Sequence, residues 1–228
     1  MTRMLIDTAT RFITWLNRRQ IVKPTPDPVK VNLGSGLHVA AGWIHIDSFL
    51  SAFFSKWPDS FLKGLYRLTS AKHFYSQKHY VETLRNHAFI HHQLKYGLPF
   101  ADETVDYIYS SHLLEHFCKD DARELLEDTY RVLKRDGRLR ICVPDLEYAF
   151  RLYQAGNKEK ALSYFFRASS SGDLAQHRYM YDFETLRQLL ELVGFVDVKR
   201  CSYQQGNIPD LDKLDNRPEE TLFVEARK

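Results

Sequence analysis

The chain has 228 residues, of which 44% are hydrophobic and 14% aromatic, with only 10 glycines and 8 prolines. That is enough apolar mass to bury a core, which excludes a disordered or fibrous protein. The 32 basic and 29 acidic residues leave a net charge of +3, too small an excess to imply a surface that tracks phosphates, so no nucleic-acid partner is expected.

At the N-terminus, Leu5, Ala9, Phe12 and Leu16 fall on one helical stripe with Ile6 and Ile13 beside it and Arg3, Arg11, Arg18 and Arg19 near the polar side. The pattern predicts an amphipathic helix over residues 4–17, not a signal peptide. Its apolar stripe suits packing on the domain or on a twin chain in a homodimer, and its arginines suit peripheral membrane contact through residues 1–20. Lys23-Pro24-Thr25-Pro26-Asp27-Pro28 then forces extended backbone, so residues 1–28 read as helix and linker and residues 29–228 as one domain.

From there short apolar runs alternate with helical patterns, the signature of an α/β sheet. Strands are predicted at Val29–Leu33, Trp43–Asp47, Ala88–Gln93, Val105–Ser110, Arg138–Val143, Phe195–Lys199 and Leu222–Ala226. Asp120 or Asp121 is the expected cap of a helix with Leu125, Thr129, Val132 and Leu133 inward and Gly137 as its stop. Asp182 caps another that carries Leu186, Leu189, Leu190 and Val193 and stops at Gly194. Two inserts remain, an aromatic-rich one over residues 51–80 and a helical one over 146–170.

The chemistry begins where Val31-Asn32-Leu33-Gly34-Ser35-Gly36 puts two glycines at a strand-to-helix turn. Backbone amides can approach a ligand closely there, and a helix start behind them favours an anionic group. Asp47, thirteen positions past Gly34 at the end of the second strand, can accept hydrogen bonds from both hydroxyls of a ribose. The plain alternative is a tight turn followed by a solvated aspartate. A nicotinamide dinucleotide fingerprint would place a third glycine where Val39 stands and an acid farther on.

Gly34-Ser35-Gly36, Gly42-Trp43-Ile44-His45-Ile46-Asp47, Gly97-Leu98-Pro99-Phe100 and the run from Val105 to His116 resemble class I S-adenosylmethionine-dependent methyltransferases, most closely bacterial ones of glycan biosynthesis. The likeness continues through Tyr130-Arg131-Val132-Leu133-Lys134, Val143-Pro144-Asp145 and His177-Arg178-Tyr179-Met180-Tyr181-Asp182-Phe183. It implies a Rossmann-like, seven-stranded, mostly parallel sheet. It also implies that Asn32, Gly34, Ser35 and Gly36 cradle the methionine end of the cofactor, Asp47 holds the ribose and Gln93 accepts from the adenine amino group. Leu94, Leu98 and Phe100 would lie near the adenine, with Ser110 and Ser111 where the fourth strand opens into the pocket. For Leu98 and Phe100 core packing is the alternative. The chain departs from the pattern twice. Only residues 34–42 separate Leu33 from Trp43, so the first helix must be very short, and Arg135-Asp136-Gly137 stands where the family has Pro-Gly-Gly.

Methyl transfer needs an in-line nucleophile, and a hydroxyl nucleophile must also lose a proton. On a helix opening after the fourth strand, His112, Glu115 and His116 would share a face. His112-Leu113-Leu114-Glu115-His116 resembles the Glu-x-x-Glu-His run that contributes metal ligands in ubiquinone-pathway and plant small-RNA O-methyltransferases, with histidine in the first place. His177 falls where the small-RNA enzymes supply a further histidine. His112 or His177 is the expected general base, and His116 is a further catalytic candidate. Glu115 and His116 become candidate ligands for a divalent metal, with manganese, iron or zinc favoured over magnesium by three imidazoles and one carboxylate.

Tyr148, Phe150, Tyr153, Tyr164, Phe165 and Phe166 lie where this fold hosts an acceptor lid and suit sugar faces or flat rings, with core packing as the alternative. Arg167 and Arg178 could bind a phosphate. Cys118, Cys142 and Cys201 are far apart and form no C-x-x-C pair, which points to a reducing, cytoplasmic setting without structural zinc. With the arginine-bearing helix, contact at the inner membrane face is part of that expectation. The expected reaction is O-methylation of a glycan or its precursor. A small-molecule O- or N-methyltransferase outside glycan metabolism, a nicotinamide-dependent reductase and a non-catalytic cofactor-binding partner protein are the alternatives.

Overall fold

The computed structural model describes residues 15, 17–24, 27–166 and 176–228. The expected N-terminal helix therefore lies almost wholly outside the described residues, as does Arg167. Seven strands form one sheet: β1 (Lys30–Leu33), β2 (Ile44–Asp47), β3 (Ala88–His91), β4 (Val105–Ser111), β5 (Leu133–Pro144), β6 (Val196–Cys201) and β7 (Thr221–Arg227). Their order is β3-β2-β1-β4-β5-β7-β6. The first five run parallel, and β7 lies antiparallel to both β5 and β6. Every predicted strand is present, with ends displaced by a few residues. β3 stops at His91, short of Gln93, because the next amide, that of His92, bonds back to the Asp47 carbonyl at 3.0 Å.

The central strands are apolar on both faces because both are covered. On one side Leu33, Ile46, Ile108 and Ile141 share a core with residues of α4 (Lys119–Val132) and α7 (Phe183–Val193), among them Leu125, Leu126, Leu186 and Leu190. On the other, Trp43, Tyr109, Cys142 and Phe223 pack with Ile208 and with Leu211 and Leu214 of the short α8 (Leu211–Leu214). The aromatic insert folds into α1 (Leu50–Phe53), α2 (Asp59–Leu68) and α3 (Gln77–Asn86) around Leu62, Tyr80 and Leu84. The second insert forms α5 (Leu146–Gln154) and α6 (Lys158–Leu162), which pack on each other.

The helix ends show which local signals held. Asp182 accepts from the Thr185 amide at 2.8 Å while the Thr185 hydroxyl accepts from the Asp182 amide, a reciprocal cap, and Gly194 ends α7 with φ +116°. On α4 the cap position belongs to Cys118, and Asp120 and Asp121 sit in the first turn, where the helix dipole favours them. That helix ends at Val132, so Leu133 begins β5 instead of closing the helix, and Asp136, with φ +64°, takes the left-handed turn expected of Gly137.

A larger departure lies between β1 and β2, where residues 34–43 contain no helix. Ten residues are too few for a helical crossover, so the connection is held by contacts with a remote segment. Trp43 Nε1 and Lys30 Nζ each reach Asp210 Oδ2 at 2.8 Å, and His38 Nε2 pairs with the Leu214 carbonyl at 2.9 Å. That segment is fixed in turn by the fully buried Arg140, which bonds both oxygens of Asp215 at 2.9 and 2.5 Å and Glu225 at 3.1 Å.

His45 of β2 is fully buried, and its pKa is lowered to about 4 by burial and by the nearby His87 and His38, against the pull of the Ala40 carbonyl. His91 and His92 are lowered by burial as well. Such a group is protonated in the unfolded chain before the folded one, so stability is complete above the ordinary pKa of 6.5 and lost as the pH falls toward 4. We expect His45 alone to account for a loss of roughly 3 kcal/mol at the acid end. Thermal melts from pH 7.5 to 4 should show that slope in the native chain and a shallower one in His45→Gln.

Candidate active site

The carboxyl ends of β1 and β4 meet where the sheet reverses its strand order, the place at which open α/β sheets hold ligands. Gly34 leaves β1 with φ +62°, and its amide donates to the Ile46 carbonyl at 2.9 Å. A Cβ there would stand 2.7 Å from Leu113 Cδ1, so only glycine lets the loop after β4 close over the bend. Gly36, φ +52°, donates its amide to Asp47 Oδ2 at 2.8 Å, and Asp47 Oδ1 accepts from the Phe49 amide at 3.1 Å. Both glycine amides are thus committed to β2, a correction to the expectation that they point at a ligand. Burial pushes the Asp47 pKa upward, while the amides of Gly36, Phe49 and Ser48 act to hold it down.

The remaining predicted cofactor residues divide. Asn32 is buried and its amide donates to the His38 carbonyl at 3.0 Å, and the Ser35 hydroxyl donates to the Gly36 carbonyl at 3.3 Å, so both stiffen the bend. Gln93, half-buried, caps a short turn over Leu94–Tyr96 two residues past the β3 partner of Asp47. Leu94, Leu98 and Phe100 belong to the main core. Ser110 also turns inward, bordering a small void among Leu33, Leu125 and Ile141, whereas Ser111 lies half-buried at the strand end. Strand alternation sends neighbouring serines to opposite faces.

After β4 the chain does not enter a helix. His112 adopts φ +50° and only Leu114–His116 forms a single 3-10 turn. The expected helical face is absent, yet the side chains meet. Glu115, 1% exposed, has three histidines around it. His112 Nδ1, His116 Nε2 and His177 Nε2 stand 3.4, 3.9 and 4.0 Å from its Oε1. Neither carboxylate oxygen has a hydrogen-bond partner among the described residues. His116 Nδ1 faces the Gln176 carbonyl at 3.0 Å and His177 Nδ1 the Tyr164 carbonyl at 2.5 Å. A carbonyl only accepts, so each Nδ1 carries a proton and each ring presents its Nε2 to the carboxylate. Such an arrangement calls for a cation at its centre, either a proton or a metal ion. Glu115, His116 and His177 offer ligand atoms within 4.8 Å of one another, and the backbone carbonyls behind two of the rings orient them as outer partners of metal ligands do.

Three participants were not legible in sequence. Leu113 covers Gly34, and Thr221 of β7 bonds His112 Nε2 at 3.1 Å. Tyr181 is buried with an unpartnered hydroxyl, its pKa raised by burial, by Tyr179 and by the charge of Glu115. No local pattern marks residues whose role depends on distant neighbours, though Tyr181 does stand four positions after His177.

Residues 66–141 match a family model described as a methyltransferase domain. A Thermotoga maritima protein described as a SAM-dependent methyltransferase, "possible histamine N-methyltransferase", superposes at TM-score 0.52 with 18% identity, over 100% of this chain and 97% of that one. A Bordetella parapertussis protein described as a possible exported protein superposes at 0.51 with 16% identity, over 97% and 67%. No curated protein matches. This chain carries a class I methyltransferase fold. The Gly34–Asp47 corner lies at the carboxyl ends of β1 and β2, and the Glu115 cluster follows the end of β4.

Because Gly34 combines a left-handed φ with the Leu113 contact, Gly34→Ala should lower unfolding free energy by about 1–3 kcal/mol. Chemical denaturation in a Leu113→Ala background should show a smaller cost, since the Cδ1 and Cγ contacts are gone and only the backbone part and the 3.2 Å approach to the residue 113 Cβ remain. Equal costs in both backgrounds would remove the packing argument.

Proposed function

We propose that the chain transfers the methyl group of S-adenosylmethionine to a hydroxyl oxygen on a glycan or glycan precursor. The domain match and the fold support the cofactor, and the convergence of three imidazoles on Glu115 carries the reaction type. The glycan rests on the sequence resemblance and on the exposed rings of the second insert, such as Phe150 and Tyr153.

In this reading the methionine end lies against the Gly34–Gly36 bend through the room its side-chain-free glycines leave and not through their amides, Asp47 accepts from the ribose hydroxyls with the lone pairs its amide donors leave, and Gln93 meets the adenine edge. An acceptor hydroxyl at the mouth of the cluster loses its proton to the Nε2 of His177 or His116. The resulting imidazolium is held by the Glu115 carboxylate on one side and a backbone carbonyl on the other, with Tyr181 and His112 packed behind. Transfer then requires only that oxygen, methyl carbon and sulfur lie in line, which positioning supplies.

A second reading is favoured by the two unpartnered oxygens of Glu115. Glu115, His116 and His177 would hold a divalent ion of the manganese, iron or zinc type. Such an ion would supply Lewis acidity toward the acceptor oxygen. Metal analysis of protein purified without a histidine tag, together with assays in chelator, separates the two readings. Full activity of metal-free protein in chelator supports the base and removes the ion.

Calorimetry with S-adenosylhomocysteine tests the cofactor assignment. Asp47→Ala should weaken binding about tenfold or more, a loss of at least 1.4 kcal/mol, and unchanged affinity would sink the reading. Glu115→Gln and His177→Ala should leave that affinity intact while lowering kcat about 10²- to 10⁴-fold. Product analysis over sugar, phenol and amine acceptors then identifies the methylated atom.

A further inference from the structure

Residues 53–74 present a face that none of the described residues covers. On α2, Leu62 and Leu65 are buried in the insert core, whereas Phe61 and Leu68 are 37% and 61% exposed. Trp57 and Phe53 are exposed as well, at 46% and 40%. The rings form one continuous surface. Centroids lie 5.0 Å apart from Phe53 to Phe54, 4.8 Å from Phe54 to Trp57 and 4.6 Å from Trp57 to Phe61. A contiguous exposed aromatic surface on a folded domain marks an interaction site.

The charges in the same segment are one-sided. Lys56, Lys63, Arg67 and Lys72 are exposed and form no ion pair among the described residues. The single acid between positions 53 and 74, Asp59, is already paired with Arg85 at 3.2 Å. Rings interleaved with unpaired cations match the boundary of an anionic bilayer, where aromatic and aliphatic side chains enter the headgroup region and cations meet lipid phosphates. Leu68, which offers no ring for a base to stack on, suits acyl chains better than a nucleic-acid strand. No described helix is long and apolar enough to cross a membrane, so contact of this kind lies on the surface of the bilayer. α1 begins three residues after Asp47, and the Phe53 ring lies 5.6 Å from that of His91 at the end of β3. The face therefore starts at the strand ends that form the candidate active site.

We propose that residues 53–74 dock the protein on an anionic lipid surface, with Trp57 and Phe61 entering the interface and Lys63 and Arg67 meeting phosphate headgroups. This inference is independent of methyl transfer. Sedimentation with vesicles of phosphatidylcholine alone, and of phosphatidylcholine with about two-fifths phosphatidylglycerol, tests it. The full chain should pellet with the anionic vesicles only and be released by about 0.5 M NaCl. Two double variants, Trp57→Ser with Phe61→Ser and Lys63→Glu with Arg67→Glu, should each lower partitioning about tenfold or more. Because these positions are exposed, both variants should keep the native melting transition. The proposal is overturned by equal binding to neutral vesicles, by binding that both variants leave unchanged, which would assign it to another segment, or by variants that dissociate a dimer without altering vesicle binding.

Discussion

The hydrogen bond from the Gly36 amide to the Asp47 carboxylate joins the ends of β1 and β2, and the geometry of the candidate site depends on it. The connection between these strands is too short for the helix that usually stiffens it. The corner must be held by side chains and by the backbone itself. Asn32 ties the far end of the loop to β1, Gly34 bonds β2, and Gly36 closes the remaining gap on the carboxylate. A carboxylate already receiving two backbone amides is fixed in orientation before any ligand arrives. That preorganisation explains why Asp47 can stay partly buried although burial works against its charge.

The absent helix has a second consequence. Its structural role passes to the segment around α8, 167 to 180 residues downstream, where Asp210 and Leu214 brace Trp43, Lys30 and His38. Arg140, buried with Asp215 and Glu225, anchors that brace to β5 and β7. A buried pair of this type adds little net stability compared with apolar packing, but leaving one partner unpaired is costly. It therefore acts as a register lock between the C-terminal strands and the Gly34–Asp47 corner.

Around Glu115 the controlling fact is the direction of the ring nitrogens. Two imidazoles donate from Nδ1 to backbone carbonyls and present Nε2 to a buried carboxylate that has no hydrogen-bond partner among the described residues. Proton acceptance by a ring or capture of a metal ion both resolve that arrangement, and both place positive charge beside the Glu115 carboxylate. The left-handed conformation of His112 turns the chain back at the end of β4 and makes the convergence possible without a helix.

The sequence by itself determined the α/β class, seven strands in their order along the chain, the cap and stop of α7, and the identities of Gly34, Gly36, Asp47, Glu115 and the three histidines as the residues to watch. The class, the strands, the ends of α7 and the Gly34–Asp47 corner rest on local signals, namely alternation of apolar runs, a capping residue, and glycines beside an acid at a strand end, whereas Glu115 and the histidines are marked by the resemblance of their run to methyltransferase motifs. Tertiary structure alone decided that the β1–β2 connection has no helix, that Leu94, Leu98 and Ser110 turn into the core, that Asp136 and not Gly137 makes the left-handed turn, and that Leu113, Thr221 and Tyr181 complete the site. Those outcomes depend on contacts between residues tens to hundreds of positions apart, such as His112 with Thr221 and Trp43 with Asp210. Propensity and spacing within one segment carry no record of which distant side chain fills a gap or accepts a proton.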